Sequence, residues 1–211
     1  RHLDTGCVRS VVETLTDPNT FDISVDVLSD VVCHGTQTGE VTFELVDATY
    51  SGGFDWVIYD TNGTQANPAD DVLVDSGNSP TNGPTIPILL FAGEYRVDMS
   101  QTSTPQCTQS EIFTISGPSA PLTASVGVDP ITCAGMDGSI EIYDVQGGWG
   151  NYEYYVGTSA PAGPGDYVAS PLFAGLGAGT YQAWVIDAQG CSELVQDNIV
   201  LADPAPITAT L

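Results

Sequence analysis

Hydrophobic and polar residues alternate one by one in several short runs of this sequence. The run from Phe21 to Val27 puts Phe, Ile and two Val side chains on one face, and a matching run leads from Leu122 to Val128. Alternation with a period of two is typical of a strand with one buried face. Further runs of this kind lie at residues 40–46 and 139–145. The pattern therefore predicts an all-β chain.

Aromatic residues continue the alternation after a Gly-Gly pair in each half of the chain. Phe54 and Trp56 follow the first pair, and Tyr152 and Tyr154 follow the second. The period-two spacing of Tyr152 and Tyr154, and that of Trp184 further on, favours packing in a core. About seven strands can be counted in each half, a number typical of a β-sandwich.

A closing stretch occurs three times along the chain. The fullest copy runs from Thr180 to Cys191, a second from Ala92 to Cys107, and a truncated one from Leu3 to Cys7. A repeat of about 90 residues favours two domains in a chain of 211 residues. We expect the end of a preceding repeat at residues 1–18, a first repeat at 19–118, a second at 119–206 and the start of a following one at 207–211.

The two repeats differ most in one polar segment. Residues 61–84 are rich in Asn, Pro, Gly and Asp, whereas the second repeat has the shorter segment 157–166. Insertions of this kind are expected in surface loops. Prolines such as Pro118 and Pro204 predict short, stiff junctions between repeats.

The net charge of the chain argues against some classes of binding partner. The chain has no lysine, three arginines and 27 acidic residues, which give a formal net charge of −24. Nucleic acid and anionic membrane surfaces would be repelled by this charge. No apolar run reaches the roughly 20 residues that a spanning helix needs, so we expect no membrane insertion.

Five cysteines recur at matching places in the repeats, without C-x-x-C spacing. This pattern favours a disulfide framework over a metal site, and an extracellular location. One pairing joins Cys33 to Cys107 and Cys133 to Cys191, and it leaves Cys7 for a preceding repeat. The other joins Cys7 to Cys33 and Cys107 to Cys133, and it leaves Cys191. The sequence leaves both open, although the first needs Cα atoms within about 7 Å at opposite ends of an ordinary sandwich.

Several segments, in this order, resemble the SprB-type repeat of large cell-surface adhesins in gliding Bacteroidota. They are Pro121 to Val126, Cys133 to Ile140, Gly147-Gly148, Leu176 to Tyr181 and Asp187 to Cys191. The second repeat matches nearly throughout. The first departs in two loops, Thr36 to Gly39 and Thr102 to Gln106.

This resemblance implies tandem Ig-like β-sandwich domains, export by a type IX secretion system and a surface role in adhesion or gliding motility. It implies no enzyme activity. The residues agree, because His34 is the only histidine inside a repeat and no nucleophile elbow or phosphate loop is present.

Acidic clusters offer oxygen atoms of the kind that calcium prefers. The candidates are Asp70, Asp71, Asp75, Asp129 and Asp137. None has EF-hand spacing, and Asp is also an ordinary turn residue, as Asp137-Gly138 illustrates. The turn interpretation is favoured over Ca²⁺ as a cofactor.

Exposed aromatic rings would suit a surface polysaccharide as partner, since a flat apolar face stacks on a sugar ring. Trp149, between glycines, and Tyr155 are the candidates for glycan binding.

Taken together, these features predict a disulfide-stabilised stalk or adhesive filament segment whose partners are adjacent repeats. Two alternatives are a glycan-binding module and a polymerising subunit that completes a neighbour's sheet by strand addition.

Overall fold

The computed structural model describes residues 21–47, 49–65, 68–103 and 108–205. Within these ranges the regular structure is antiparallel β-sheet with one short 3-10 helix, Pro164–Asp166. The predicted all-β class is confirmed. No helix in the described residues is long and apolar enough to cross a membrane. The tandem Ig-like assignment and the repeat boundaries stay predictions, and the stretches 1–18 and 207–211 lie outside the described residues.

The first half of the chain forms two facing sheets, here called the first sandwich. One sheet has the strand order β1-β2-β5 and the other β4-β3-β6-β7. The strands are β1 (Asp22–Ser29), β2 (Gly39–Val46), β3 (Phe54–Asp60), β4 (Val72–Ser79), β5 (Ile88–Leu90), β6 (Gly93–Gln101) and β7 (Thr108–Ile115).

The second half forms the second sandwich from six strands. Its sheets have the orders β11-β9-β8 and β10-β12-β13. The strands are β8 (Thr123–Asp129), β9 (Gly138–Gln146), β10 (Glu153–Gly157), β11 (Leu172–Leu176), β12 (Gly179–Ile186) and β13 (Ser192–Leu201).

Each sandwich has its own hydrophobic core. In the first, Phe43 packs against Trp56 and Phe113 with ring centroids 6.0 and 5.6 Å apart. In the second, Ile140 and Ile142 of β9 face Ala183 of β12. Each large apolar side chain buried in this way contributes about 1.5–3 kcal/mol before the cost of ordering it. The alternation in β2, β3 and β9 thus marks buried faces, as predicted.

A tyrosine hydrogen bond explains why Gly-x-Tyr recurs in both repeats. The Tyr95 hydroxyl donates to Phe91 O, and the Tyr181 hydroxyl donates to Gly177 O, each at 3.0 Å. A Cβ atom on Gly93 would come within 3.2 Å of the Tyr95 ring. A tyrosine bonded back to the chain at this corner is also a feature of immunoglobulin domains.

The long polar insertion, residues 61–84, contains a strand, which corrects the expectation of a surface loop. Val72–Ser79 forms β4, which pairs with β3 along its length at the edge of its sheet. Three consecutive apolar residues, Val72, Leu73 and Val74, are exposed there. The polar composition around them hid a short strand.

Candidate functional site: the joint between the sandwiches

Asp187 organises the hairpin that joins β12 to β13. Its side chain is buried, and its Oδ1 accepts hydrogen bonds from Gln189 N and Cys191 N, each at 3.0 Å. Gly190 takes the left-handed backbone conformation that this turn requires, with φ +86°. The hairpin, residues 187–191, is called the closing hairpin below. The Asp187 carboxylate fixes the backbone of Cys191, the residue directly before β13.

The same carboxylate holds a second turn. Asp187 Oδ2 accepts a hydrogen bond from Trp149 N at 2.9 Å. Gly147 before it has φ +75° and lies so close to the linker that a Cβ would be 1.9 Å from Pro121 O. Only glycine fits there. Three backbone N–H groups on one buried carboxylate therefore place the Trp149 indole beside Cys191.

A loop of the first sandwich faces this pair. Residues 31–35 lie in the connection between β1 and β2, and Val31 anchors them because its side chain is buried and its N–H donates to Ser116 O at 2.9 Å. Thr36 N donates to Cys33 O at 3.1 Å, and Gly35 has φ +72°. This loop, called the cysteine loop below, exposes the carbonyl groups of Val31 and Val32 towards the second sandwich.

The joint is the contact between the cysteine loop and the closing hairpin. Trp149 Nε1 donates to Val31 O at 3.0 Å and to Val32 O at 3.1 Å. Cys33 and Cys191 form a disulfide with their Cα atoms 5.2 Å apart. A cavity of about 300 Å³ lies beside the indole, between Leu28 and Gln189.

The linker supplies a further contact. His34 Nδ1–H donates to Pro118 O at 2.9 Å. Gly148 N donates to Ala120 O at 3.1 Å, so both sandwiches hold the segment between them. A covalent bond, a bifurcated indole hydrogen bond and a tethered linker together fix the two sandwiches relative to each other.

The disulfide corrects both expected cysteine pairings. Cys33 pairs with Cys191 of the other sandwich, and Cys133 is an exposed free thiol. The pairing of Cys133 with Cys191 fails because β13 separates them: Gly135 N bonds Asp203 beyond the end of β13, whereas Cys191 precedes its start. Ten residues of strand span roughly 33 Å. Cys7 and Cys107 lie outside the described residues.

Trp149 is not the exposed sugar platform that its glycine neighbours suggested. It is half-buried, with its N–H committed to the joint. Tyr155 is also half-buried, and its ring lies 6.1 Å from that of Tyr167. Glycan binding at these residues stays a prediction.

Trp184 also differs from its expected place in the core. Its neighbours in β12, Ala183 and Val185, are fully buried, so Trp184 points to the opposite face. There it lines a cleft of about 260 Å³ with Tyr167, beneath the loop that precedes β11. When both faces of a strand carry apolar residues, alternation in the sequence does not show which face packs in the core.

The five aspartates proposed for calcium lie in separate hydrogen bonds. Asp71 pairs with Arg96, and Asp70 accepts from Thr64 Oγ1 at 2.9 Å. Three remain: Asp75 accepts from Ser76 N at 2.8 Å, Asp129 from Ser139 Oγ at 3.3 Å, and Asp137 is exposed in the turn before β9. Among the described residues, no three His, Cys, Asp or Glu side chains form a group suited to a metal ion. Calcium binding at these residues stays a prediction.

Sequence reasoning missed the roles of His34 and Asp187. The oxygen atoms of Asp187 accept hydrogen bonds from the backbone N–H groups of three residues. One signal pointed to its role, since the second repeat has both Asp-x-x-Gly-Cys at its end and Gly-Gly-Trp, and the first repeat has neither. The contact of His34 with Pro118 had no sequence signal.

The fold and the joint define a class of protein: tandem β-sandwiches whose neighbours are covalently joined. Residues 125–160 match the SprB repeat family. The matched segment extends from β8 through β10 and includes Trp149. It confirms the resemblance for this part of the second sandwich.

The SprB repeat is a structural repeat of cell-surface adhesins and not an enzyme family. The match therefore suggests a repeat segment of a surface adhesin, located outside the cell. Among curated proteins no match to the chain was found.

Proposed function

We propose that the chain is a load-bearing stalk segment of a long extracellular surface protein. The SprB match supports a surface adhesin repeat. The Cys33–Cys191 disulfide carries the more specific conclusion, because it turns two consecutive sandwiches into one covalently closed unit. Export by type IX secretion and a role in gliding or adhesion belong to this proposal, and they rest on the family resemblance.

The disulfide changes the path of a pulling force. Cys33 follows β1 and Cys191 precedes β13, with a sequence separation of 158 residues. Tension applied to the two ends of the chain passes from β1 through the S–S bond into β13. Nearly all of both sandwiches lies inside the closed loop and cannot be extended while that bond holds.

The strands that still carry the load are paired along their length. β1 pairs with β2 from Asp22 to Ser29, and β13 pairs with β12 from Ser192 to Leu201. These ladders hold β1 and β13 against their sheets. A stalk gains from this arrangement because it keeps its length under load.

Single-molecule stretching of the full chain between its termini tests the proposal. The fully unfolded oxidised chain should be shorter than the reduced chain by the 158 enclosed residues. At about 3.6 Å per residue this difference is about 570 Å.

Two variants complete that experiment. Cys33→Ser removes the bond and should stretch to the reduced length under oxidising conditions, whereas Cys133→Ser, at an exposed free thiol, should keep the short length. Equal lengths for oxidised and reduced wild-type protein would refute the load-bearing role of the disulfide.

A further inference from the structure

The second sandwich carries its own copy of the cysteine loop. Met136 N donates to Cys133 O at 3.1 Å, as Thr36 N does to Cys33 O. Gly135 has φ +77°, close to the +72° of Gly35. Residues 131–135 therefore have the backbone form that receives Trp149 and Cys191 in the first sandwich.

The packing beneath the two loops is also equivalent. Ile131 is buried in the position of Val31. A Cβ on Gly39 would meet Ile115 and Val31, and a Cβ on Gly138 would meet Leu201 and Ile131. Each loop thus lies on a glycine at the start of the following strand, in contact with the end of the last strand of its sandwich.

The two loops differ in what covers them. Val32 and Cys33 are half-buried, whereas residues 132–137 are all exposed. In the part of the chain that the structure describes, Cys133 is a free thiol, and Met136 beside it is exposed. No described residue donates a hydrogen bond to the carbonyl group of Ile131 or Thr132, the counterparts of the two groups that receive the Trp149 indole.

The occupied joint defines the partner that would fit. It must bring an indole N–H and a thiol side by side, which the second sandwich does with Trp149, Asp187 and Cys191. The first sandwich lacks this set: counted from the corner tyrosine of each repeat, Gln101 takes the position of Asp187, and Phe54 directly follows the Gly-Gly pair. A first-repeat surface is therefore a poorer match than a second-repeat surface.

We propose that residues 131–135 are a docking site for the closing hairpin of a further repeat of the second type, which bonds to Cys133. Each sandwich of this type would then give one cysteine to the repeat before it and one to the repeat after it. The result is a series of overlapping disulfide loops. This inference rests on the proposed stalk function, which it extends from one joint to an array.

The covalent step is a thiol–disulfide exchange. The Cys133 thiol and the incoming cysteine thiol each lose a proton, one S–S bond forms, and two electrons pass to a disulfide oxidant such as oxidised glutathione, which leaves as two thiols. Docking raises the yield because it holds the two thiols together before the bond forms.

An extended chain tests the docking site. Residues 127–211 are repeated directly after Leu211, a register in which residues 207–211 replace residues 122–126 of the copied repeat. Ser192→Thr in the copy marks its closing cysteine by mass and keeps a hydroxyl group, and Cys133→Ser in the copy leaves one Cys133 in the extended chain. After equilibration in a glutathione buffer, the disulfides are mapped by an Asp- and Glu-directed protease and mass spectrometry.

The proposal expects Cys133 bonded to the marked cysteine and Cys33 still bonded to Cys191. Trp149→Ala in the copy alone should lower the yield of the new bond about fivefold, since it removes the indole hydrogen bonds. A free Cys133, a bond from Cys133 to any other cysteine or a disulfide-linked dimer of chains would overturn the docking site. Loss of the Cys33–Cys191 bond in the same digest would instead overturn the stalk function.

Discussion

Trp149 links the two sandwiches through one side-chain atom. Its Nε1–H is shared between Val31 O and Val32 O, both backbone carbonyls of the other sandwich. Because the ring is half-buried, these bonds form where water competes less than at an open surface. The residue therefore stabilises the orientation that the disulfide then fixes.

Trp149→Phe keeps most of the ring and removes the hydrogen bonds. Loss of a net hydrogen bond costs about 1 kcal/mol. The closed joint should then be about fivefold less favoured, seen as a shift in the equilibrium of the Cys33–Cys191 bond with glutathione. Trp184→Phe is the matched control, since Trp184 lies on the outer face of β12 and its Nε1–H donates to Gln182 of the same strand. A shift with Trp184→Phe but none with Trp149→Phe would contradict the assignment.

The raised pKa of Tyr95 predicts that the stability of the first sandwich depends on pH. Burial, with a smaller effect of Asp60, raises the pKa of its hydroxyl above the usual value near 10. The folded state therefore holds the proton more tightly than the unfolded state. The stabilisation is complete below about pH 10 and is lost as the pH rises further.

Tyr95→Phe should remove this alkaline effect. At pH 8 the variant should be less stable by about 1 kcal/mol, because the bond to Phe91 O is missing. The gap between variant and wild type should narrow as the pH rises above 10, measured by urea unfolding. A constant gap across that range would show that the hydroxyl does not titrate with unfolding.

At the scale of elements, the closing hairpin depends on the charge of Asp187. Asp187→Asn replaces one carboxylate oxygen by an NH₂ group, which faces a backbone N–H that needs an acceptor. An unpaired buried donor costs about 1–3 kcal/mol, so the second sandwich should lose that much stability to urea. Glu193→Gln, at an exposed position of β13, is the control and should change stability by less than about 0.5 kcal/mol.

Strands were the most predictable elements because their signal is local. The alternation at residues 40–46 and 139–145 matches β2 and β9 to within a residue at each end. β4 was missed because five of its eight residues, Asp75 to Ser79, are polar or glycine and its side chains are mostly exposed, so no buried face imposed a pattern. A strand with one buried face shows an alternating sequence pattern, whereas an exposed edge strand need not show one.

At the scale of the whole molecule, the joint could not be predicted from the sequence. The recurrence of cysteines indicated disulfides, but a bond across 158 residues depends on how one sandwich sits on the next. That orientation is set by contacts such as His34 to Pro118, which leave no periodic signal. The sequence contained one clue. The second repeat, which supplies the partner surface, has a tryptophan directly after its Gly-Gly pair, whereas the first repeat has Phe54 there.

The two halves of the molecule have different roles at the joint. The first sandwich offers a loop of carbonyl groups and a thiol, and the second offers an indole and a thiol held by Asp187. Disulfide bonding between consecutive sandwiches predicts a cross-linked peptide pair that contains Cys33 and Cys191.

The most direct test is a disulfide map of the unmodified full chain. The protein is alkylated without reduction, cut with an Asp- and Glu-directed protease because it contains no lysine, and analysed by mass spectrometry. The structure predicts a peptide pair that joins Cys33 to Cys191, and Cys133 recovered in alkylated form. A pair joining Cys33 to Cys107, or Cys133 to Cys191, would contradict it.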